Sequence, residues 1–107
     1  MIICSTDTVP GKKIVKVFGL VRGNTIRARN IGRDILAAFK NLAGGEITQY
    51  TKMMAETREQ ALDRLSEDAE RLGANAIVAL RFATTSMMQS AAEFLVYGTA
   101  VLIEDGE

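Results

Sequence analysis

The sequence predicts an α+β fold: a small, mostly antiparallel sheet with two helices packed on one face, in the order β-α-α-β-β. Three observations predict it. Residues 12–28, KKIVKVFGLVRGNTIRA, and 94–103, FLVYGTAVLI, are rich in β-branched residues, with aromatics among them, as strands are. Residues 47–72 instead space their apolar residues three and four apart, the period of a helix. The last two apolar runs are joined by a short connection, so they pair as an antiparallel hairpin. At 107 residues the chain is read as one domain, 1–107.

The chain opens on Ile2 and Ile3 and then a turn-rich stretch, STDTVPG, ending in a Pro10–Gly11 turn signal. The first long strand follows, and Gly19 and Gly23 within it predict a bulge or bend. Asn30 is a suitable N-cap for a helix over 31–43, which Gly44 and Gly45 end. A second helix spans 47–72 and stops at Gly73. Thr57 with Gln60 fits a capping box, which predicts a kink or a split there. A strand over 76–86 comes next. MQSAAE connects it to the last strand, 94–103, and EDGE is a polar tail. In the turn that enters the strand at 76, Ala74 and Ala76 are small, and Asn75 is suited to bonding backbone.

Neither face of this sheet reads as polar. In the last strand Leu95, Tyr97, Thr99, Val101 and Ile103 share one face, and Phe94, Val96, Ala100 and Leu102 the other. The middle strand sets Val78, Leu80 and Phe82 against Ile77, Ala79 and Ala83. The first sets Ile14, Phe18, Leu20 and Ile26 against Val15, Val17 and Val21. Two helices cover one face. The other is too apolar for water and is expected in a subunit interface of a homo-oligomer. The N-terminal segment and the hairpin connection could cover part of it.

Thirteen basic and thirteen acidic residues give no net charge. This balance argues against nucleic acid and against a membrane surface as partners. The N-terminus lacks the pattern of a signal peptide, and no apolar run reaches ~18 residues. With a single cysteine, Cys4, a cytoplasmic location is expected.

Few residues carry chemistry. On the long helix Ile47, Met54, Ala61, Leu65 and Leu72 form an apolar stripe, and Arg58 falls near its middle. A guanidinium there needs carboxylates or carbonyls, and Asp34 and Glu46 are the candidates. The favoured reading is a structural pair between helices or subunits, with an anion site as the alternative. Tyr50 and Tyr97 read as core or interface anchors. The helix also carries Glu59, Asp63, Glu67, Asp68 and Glu70, mixed with Arg64 and Arg71, which reads as a solvated face. No histidine is present, so Ser-His and Cys-His catalysis is excluded, and no phosphate-binding glycine motif occurs. Cys4 and the methionines suit a soft metal, but one chain cannot supply a closed site of about four ligands.

The stretches DILAAFKNLAGGEITQYT, REQALDRL, LGANAIVALRF and YGTAV, in this order and spacing, resemble the YbjQ-like family of small bacterial and archaeal proteins. The resemblance spans nearly the whole chain. Asp34, Gly44, Gly45, Tyr50, Arg58, Ala61, Gly73, Ala74, Ala76, Gly98 and Thr99 fall on recurrent positions of that family. It implies a small α+β domain assembled as a ring-shaped homo-pentamer, in a family that is uncharacterised and carries a heavy-metal-binding label. Related sequences often place a histidine where Asn30 stands and an acidic residue near Ala83. Cys4 matches no recurrent cysteine of the family.

The expectation is thus a cytoplasmic homo-oligomeric binding or scaffold protein, pentameric and not an enzyme. The alternative is a soft-metal binder using Cys4 and methionines shared between subunits. A third class, an enzyme with an Arg58–carboxylate site at a subunit junction, ranks last.

Overall fold

The structure is a computed structural model that describes residues 1–28, 46–88 and 91–106. Five elements form: β1 (Ile2–Ile3), β2 (Lys12–Ala28), α1 (Glu46–Leu72), β3 (Ala76–Met88) and β4 (Ala91–Asp105). The helix expected over 31–43 and the candidate Asp34 lie outside the described residues. The architecture is α+β, with a four-stranded mixed sheet ordered β1-β3-β4-β2. β4 pairs antiparallel with β2 and with β3, so the expected hairpin is present, while β1 runs parallel to β3.

Among the described residues there is one helix, and the order is β-β-α-β-β rather than β-α-α-β-β. The extra strand is the apolar start of the chain. Ile2 and Ile3 pair with Ala76 and Ile77, and the Cys4 amide donates to the Ile77 carbonyl at 2.9 Å. A second correction concerns α1, which is assigned as helix throughout from Glu46 to Leu72, with no split at Thr57. Thr57 is buried within the continuous helix. The helix stops at Gly73 as expected. Gly73 takes φ +91°, its amide donates to Glu70 and the Ala74 amide donates to Ala69. This is the 5→2 and 6→1 pattern of a glycine-terminated helix. Asn75 then clamps the turn to the end of β4. Its Nδ2 donates to the Ile103 carbonyl at 2.9 Å, and its Oδ1 accepts from the Ile103 amide at 2.8 Å.

The faces of β4 alternate as the sequence suggests. Phe94, Val96 and Ala100 join the core beneath α1, while Val101 and Ile103 join a second core on the other side. The other two long strands depart from simple alternation. In β3 the register shifts between Val78 and Arg81, and Ala79 takes φ +55°. Ile77 and Leu80 therefore pack with the α1 core, while Ala76 and Val78 pack with the second core. Val78 and Leu80 do not share a face, contrary to the strict alternation expected. In β2 register shifts fall between Ile14 and Lys16 and between Val17 and Gly19. Phe18 and Val21 consequently belong to the α1 core, and Leu20 does not share their face. A bulge admits one extra residue and reverses the phase of everything beyond it.

Gly23 sits in regular strand and does a different job. A methyl there would lie 2.6 Å from the Leu65 nitrogen and closer still to the Ala61 carbonyl. The missing side chain lets α1 lie directly on β2, with Ala61, Leu65 and Ala69 fully buried.

The chain must travel from β1, on one edge of the sheet, to β2 on the opposite edge. Residues 4–11 make that crossing over the face away from α1. Cys4 and Val9 pack on Ala76, Val78, Val101 and Ile103, and the Thr6 carbonyl accepts from the Ala79 amide at 2.8 Å. This strap covers one end of the second face. Beyond it Val17 is 62% exposed and Leu20 68%. The radius of gyration is 17.2 Å, against about 13 Å for a compact domain of this length.

Candidate functional site

The buried stripe of α1 runs through Thr57, Ala61, Leu65 and Ala69, with Met54 and Leu62 partly buried beside it. Arg58 is exposed, so the expectation that it sits within the apolar face is corrected. At this point the stripe is centred one residue earlier than the sequence period suggests, on Thr57 rather than Arg58, and the closest approach to the sheet is at Ala61 and Leu65 against Gly23. Leu72, expected to close the stripe, is exposed at the helix end. Glu46 and Tyr50 lie on the first turns of α1, where side chains are outside the described ones. The expected pairing of Arg58 with Asp34 or Glu46 therefore lies outside the described residues.

Arg58 instead stands at the rim of a groove between α1 and the sheet. Ala55, Arg58, Glu59 and Leu62 form its helical wall, and Phe82 and Phe94 its floor. The groove encloses about 460 Å³. The two rings meet edge to face at 5.9 Å between centroids. Among the described residues Arg58 has no ion pair.

Cys4 is half-buried within the strap. Its Sγ lies 3.8 Å from the carbonyl oxygens of Thr6 and Ile77, and its neighbours are otherwise apolar. Among the described residues no three His, Cys, Asp or Glu side chains cluster as metal ligands would. A lone thiol facing two carbonyls does not fit a heavy-metal site within one chain.

The open face carries a feature that the sequence alone does not reveal. Tyr97 on β4 is directly opposite Arg22 on β2 and Arg81 on β3, so three adjacent strands place Arg, Tyr and Arg in one row. The next row holds Leu20, Thr99 and Val78. Arg81 is tied down: its Nη1 donates to the Ser5 carbonyl at 2.9 Å and to the Leu80 carbonyl at 2.8 Å. Arg22 is exposed and makes no ion pair among the described residues. Spacing along the chain does not show this row, because the arginines are 59 positions apart on two bulged strands.

Two carboxylates of β4 have other partners. Glu93 accepts from Asn24 Nδ2 at 3.1 Å. At the far end Asp105 pairs with Lys12, whose hydrogen bond and then whose charge hold the carboxyl below its ordinary pKa.

The sequence model of the YbjQ family, described as "Putative heavy-metal-binding", matches residues 1–104. A UPF0145 protein of Clostridioides difficile is 58% identical over 105 residues, covering 98% of this chain and 94% of the relative. One of Methanosarcina acetivorans is 52% identical over 103 residues, covering 96% and 97%. A crystal structure of a protein of unknown function from Pediococcus pentosaceus, assigned to the DUF74 family, superposes with a TM-score of 0.63. It covers 97% of this chain and 98% of its own at 20% identity, a likeness of fold.

Proposed function

The chain belongs to the YbjQ family, and from that premise we propose that it is a cytoplasmic homo-oligomer, a pentamer, serving as a binding or scaffold module without catalytic activity. One observation carries the oligomer: the second sheet face stays open beyond the strap, with Val17 and Leu20 on the edge strand β2 more than half exposed. Burying such side chains stabilises by roughly 1.5–3 kcal/mol each, so a second copy seated there gains more than water offers. The extended shape of the chain supports the same reading, since a subunit that completes its packing on neighbours need not be compact alone.

Partners other than itself are not part of this reading. The charge balance supports neither nucleic acid nor a membrane surface, and no helix among the described residues is long and apolar enough to cross a membrane. Native mass spectrometry tests the proposal. A particle of five times 11.6 kDa is expected, and an 11.6 kDa species at micromolar concentration sinks it.

The family description favours a second reading, in which copies of Cys4 from several subunits share a soft metal. Elemental analysis of untagged protein is the test. Metal that co-purifies in the native protein and is lost in Cys4→Ala supports it, and unchanged content in Cys4→Ala removes Cys4 from the site.

A further inference from the structure

We propose that Arg22, Tyr97 and Arg81 form an oxyanion-binding site on the open face of the sheet, one that takes a phosphate or carboxylate group. The argument goes beyond the oligomer reading: the row adjoins Leu20 on the same face, and the site requires that a copy seated on Val17 and Leu20 leave Arg22 and Tyr97 open to solvent. Arg22 and Arg81 flank Tyr97 from the two neighbouring strands, so their Cα atoms stand about 10 Å apart, twice the strand spacing. The Arg22 side chain is long enough to reach across the phenol toward Arg81, whose guanidinium is held on the strap side of β3. Two guanidiniums in one row repel each other unless an anion lies between them, and like charges placed across strands are unfavourable.

No carboxylate among the described residues, Asp7 of the strap included, makes an ion pair with either arginine. Glu93 is four residues along β4 from Tyr97, about 13 Å away in an extended strand, and it is engaged with Asn24. Asp105 is farther still and paired with Lys12. Neither arginine has an ion pair among the described residues.

The site is also partly fixed in place. The strap's Ser5 carbonyl and the Leu80 carbonyl hold one nitrogen of Arg81, leaving Nε and Nη2 free to donate. Leu80 follows the bulge at Ala79, so the same irregularity that reverses the strand also sets the position of Arg81. Tyr97 is 36% exposed and offers a hydroxyl donor in the middle of the row. A guanidinium fork suits the paired oxygens of phosphate and carboxylate, and charged donors of this kind make the stronger hydrogen bonds.

Titration of the full chain with inorganic phosphate in chloride buffer, followed by calorimetry, tests the site. Saturable binding is expected in the native protein. Arg22→Gln and Arg81→Gln should each weaken it about tenfold or more, Tyr97→Phe less, and Arg71→Gln on the outer helix surface not at all. Arg22→Lys keeps the charge but loses the fork, so an intermediate loss is expected; it also serves if a glutamine variant does not fold. Native protein that shows no saturable binding, or binding unchanged in Arg22→Gln and Arg81→Gln, overturns the proposal. If phosphate fails to bind but Arg22→Gln dissociates the oligomer, the row pairs with a carboxylate of a second copy and the free-ligand site is overturned. A monomeric native mass with saturable phosphate binding leaves this site standing and removes only the oligomer.

Discussion

At Gly23 the contact between helix and sheet depends on a missing atom. Its Cα faces the Ala61–Leu65 turn of α1 with no room for a methyl. Both obstructing atoms are backbone, so a rotamer change cannot relieve the clash and the helix must move away. Gly23→Ala should therefore destabilise the fold by about 2–3 kcal/mol, read as a lower urea midpoint. Ala79 is the opposite case. Its φ of +55° suits glycine and strains a β-branched side chain. Ala79→Gly should be nearly neutral, while Ala79→Val should cost about 1–2 kcal/mol in the same unfolding measurement. Asp105 offers a test by titration. Lys12 lowers its carboxyl pKa, so the pair favours the folded state above the ordinary aspartate pKa and loses that advantage as pH falls through the lowered one. Asp105 is fully exposed, so the effect belongs to its own titration and not to global stability. Lys12→Met should raise the Asp105 midpoint toward the ordinary value, followed by carboxyl carbon shifts in NMR.

At the scale of elements, the strap and the turn before β3 hold the second core together. Asn75 makes two hydrogen bonds to the Ile103 backbone, one donated and one accepted. Asn75→Ala should cost about 1–3 kcal/mol in urea unfolding, and Asn75→Asp, which keeps the acceptor, should cost less. The backbone-bonding role of Asn75 was legible in the sequence, as were the ends of α1 and the hairpin of β3 and β4. The alternation of β4 was legible because that strand is paired on both sides and packed on both faces. Phases of β2 and β3 were not legible. Four register shifts, near Val15, Phe18, Ala79 and Met87, interrupt the alternation, and no spacing rule locates a bulge in a run of apolar residues. The strand Ile2–Ile3 is only two residues long and finds its partner more than 70 positions away. Arg58 was misplaced for a related reason. The tightest contact of α1 is set by small residues, Ala61 on the helix and Gly23 on β2, which a hydrophobicity pattern weights least. The row of Arg22, Tyr97 and Arg81 exists only once the register is known.

For the whole molecule the question is what covers the face that the strap leaves open. The strap reaches only the Val78, Val101 and Ile103 end, and Leu20 stands beyond it. Leu20 is 68% exposed, and its row holds Thr99 and Val78, not a charged residue. A charge at position 20 should therefore be cheap in an isolated chain, because solvent reaches it directly. In an oligomer seated on this face the same charge would be taken out of water, and Arg22 in the adjoining row offsets only part of that loss, which leaves a cost of several kcal/mol for each copy of the contact. Leu20→Asp should thus separate folding from assembly. Far-UV circular dichroism and the unfolding baseline should keep their native form, while native mass spectrometry should move from five times 11.6 kDa to 11.6 kDa. Arg64→Gln is the matched control. It removes an exposed guanidinium that donates to the Asn24 carbonyl at the helix–strand contact, away from the open face. It should leave the mass unchanged. Loss of secondary structure in Leu20→Asp would mean that the side chain supports the subunit itself. An unchanged pentamer would place the interface elsewhere on the surface.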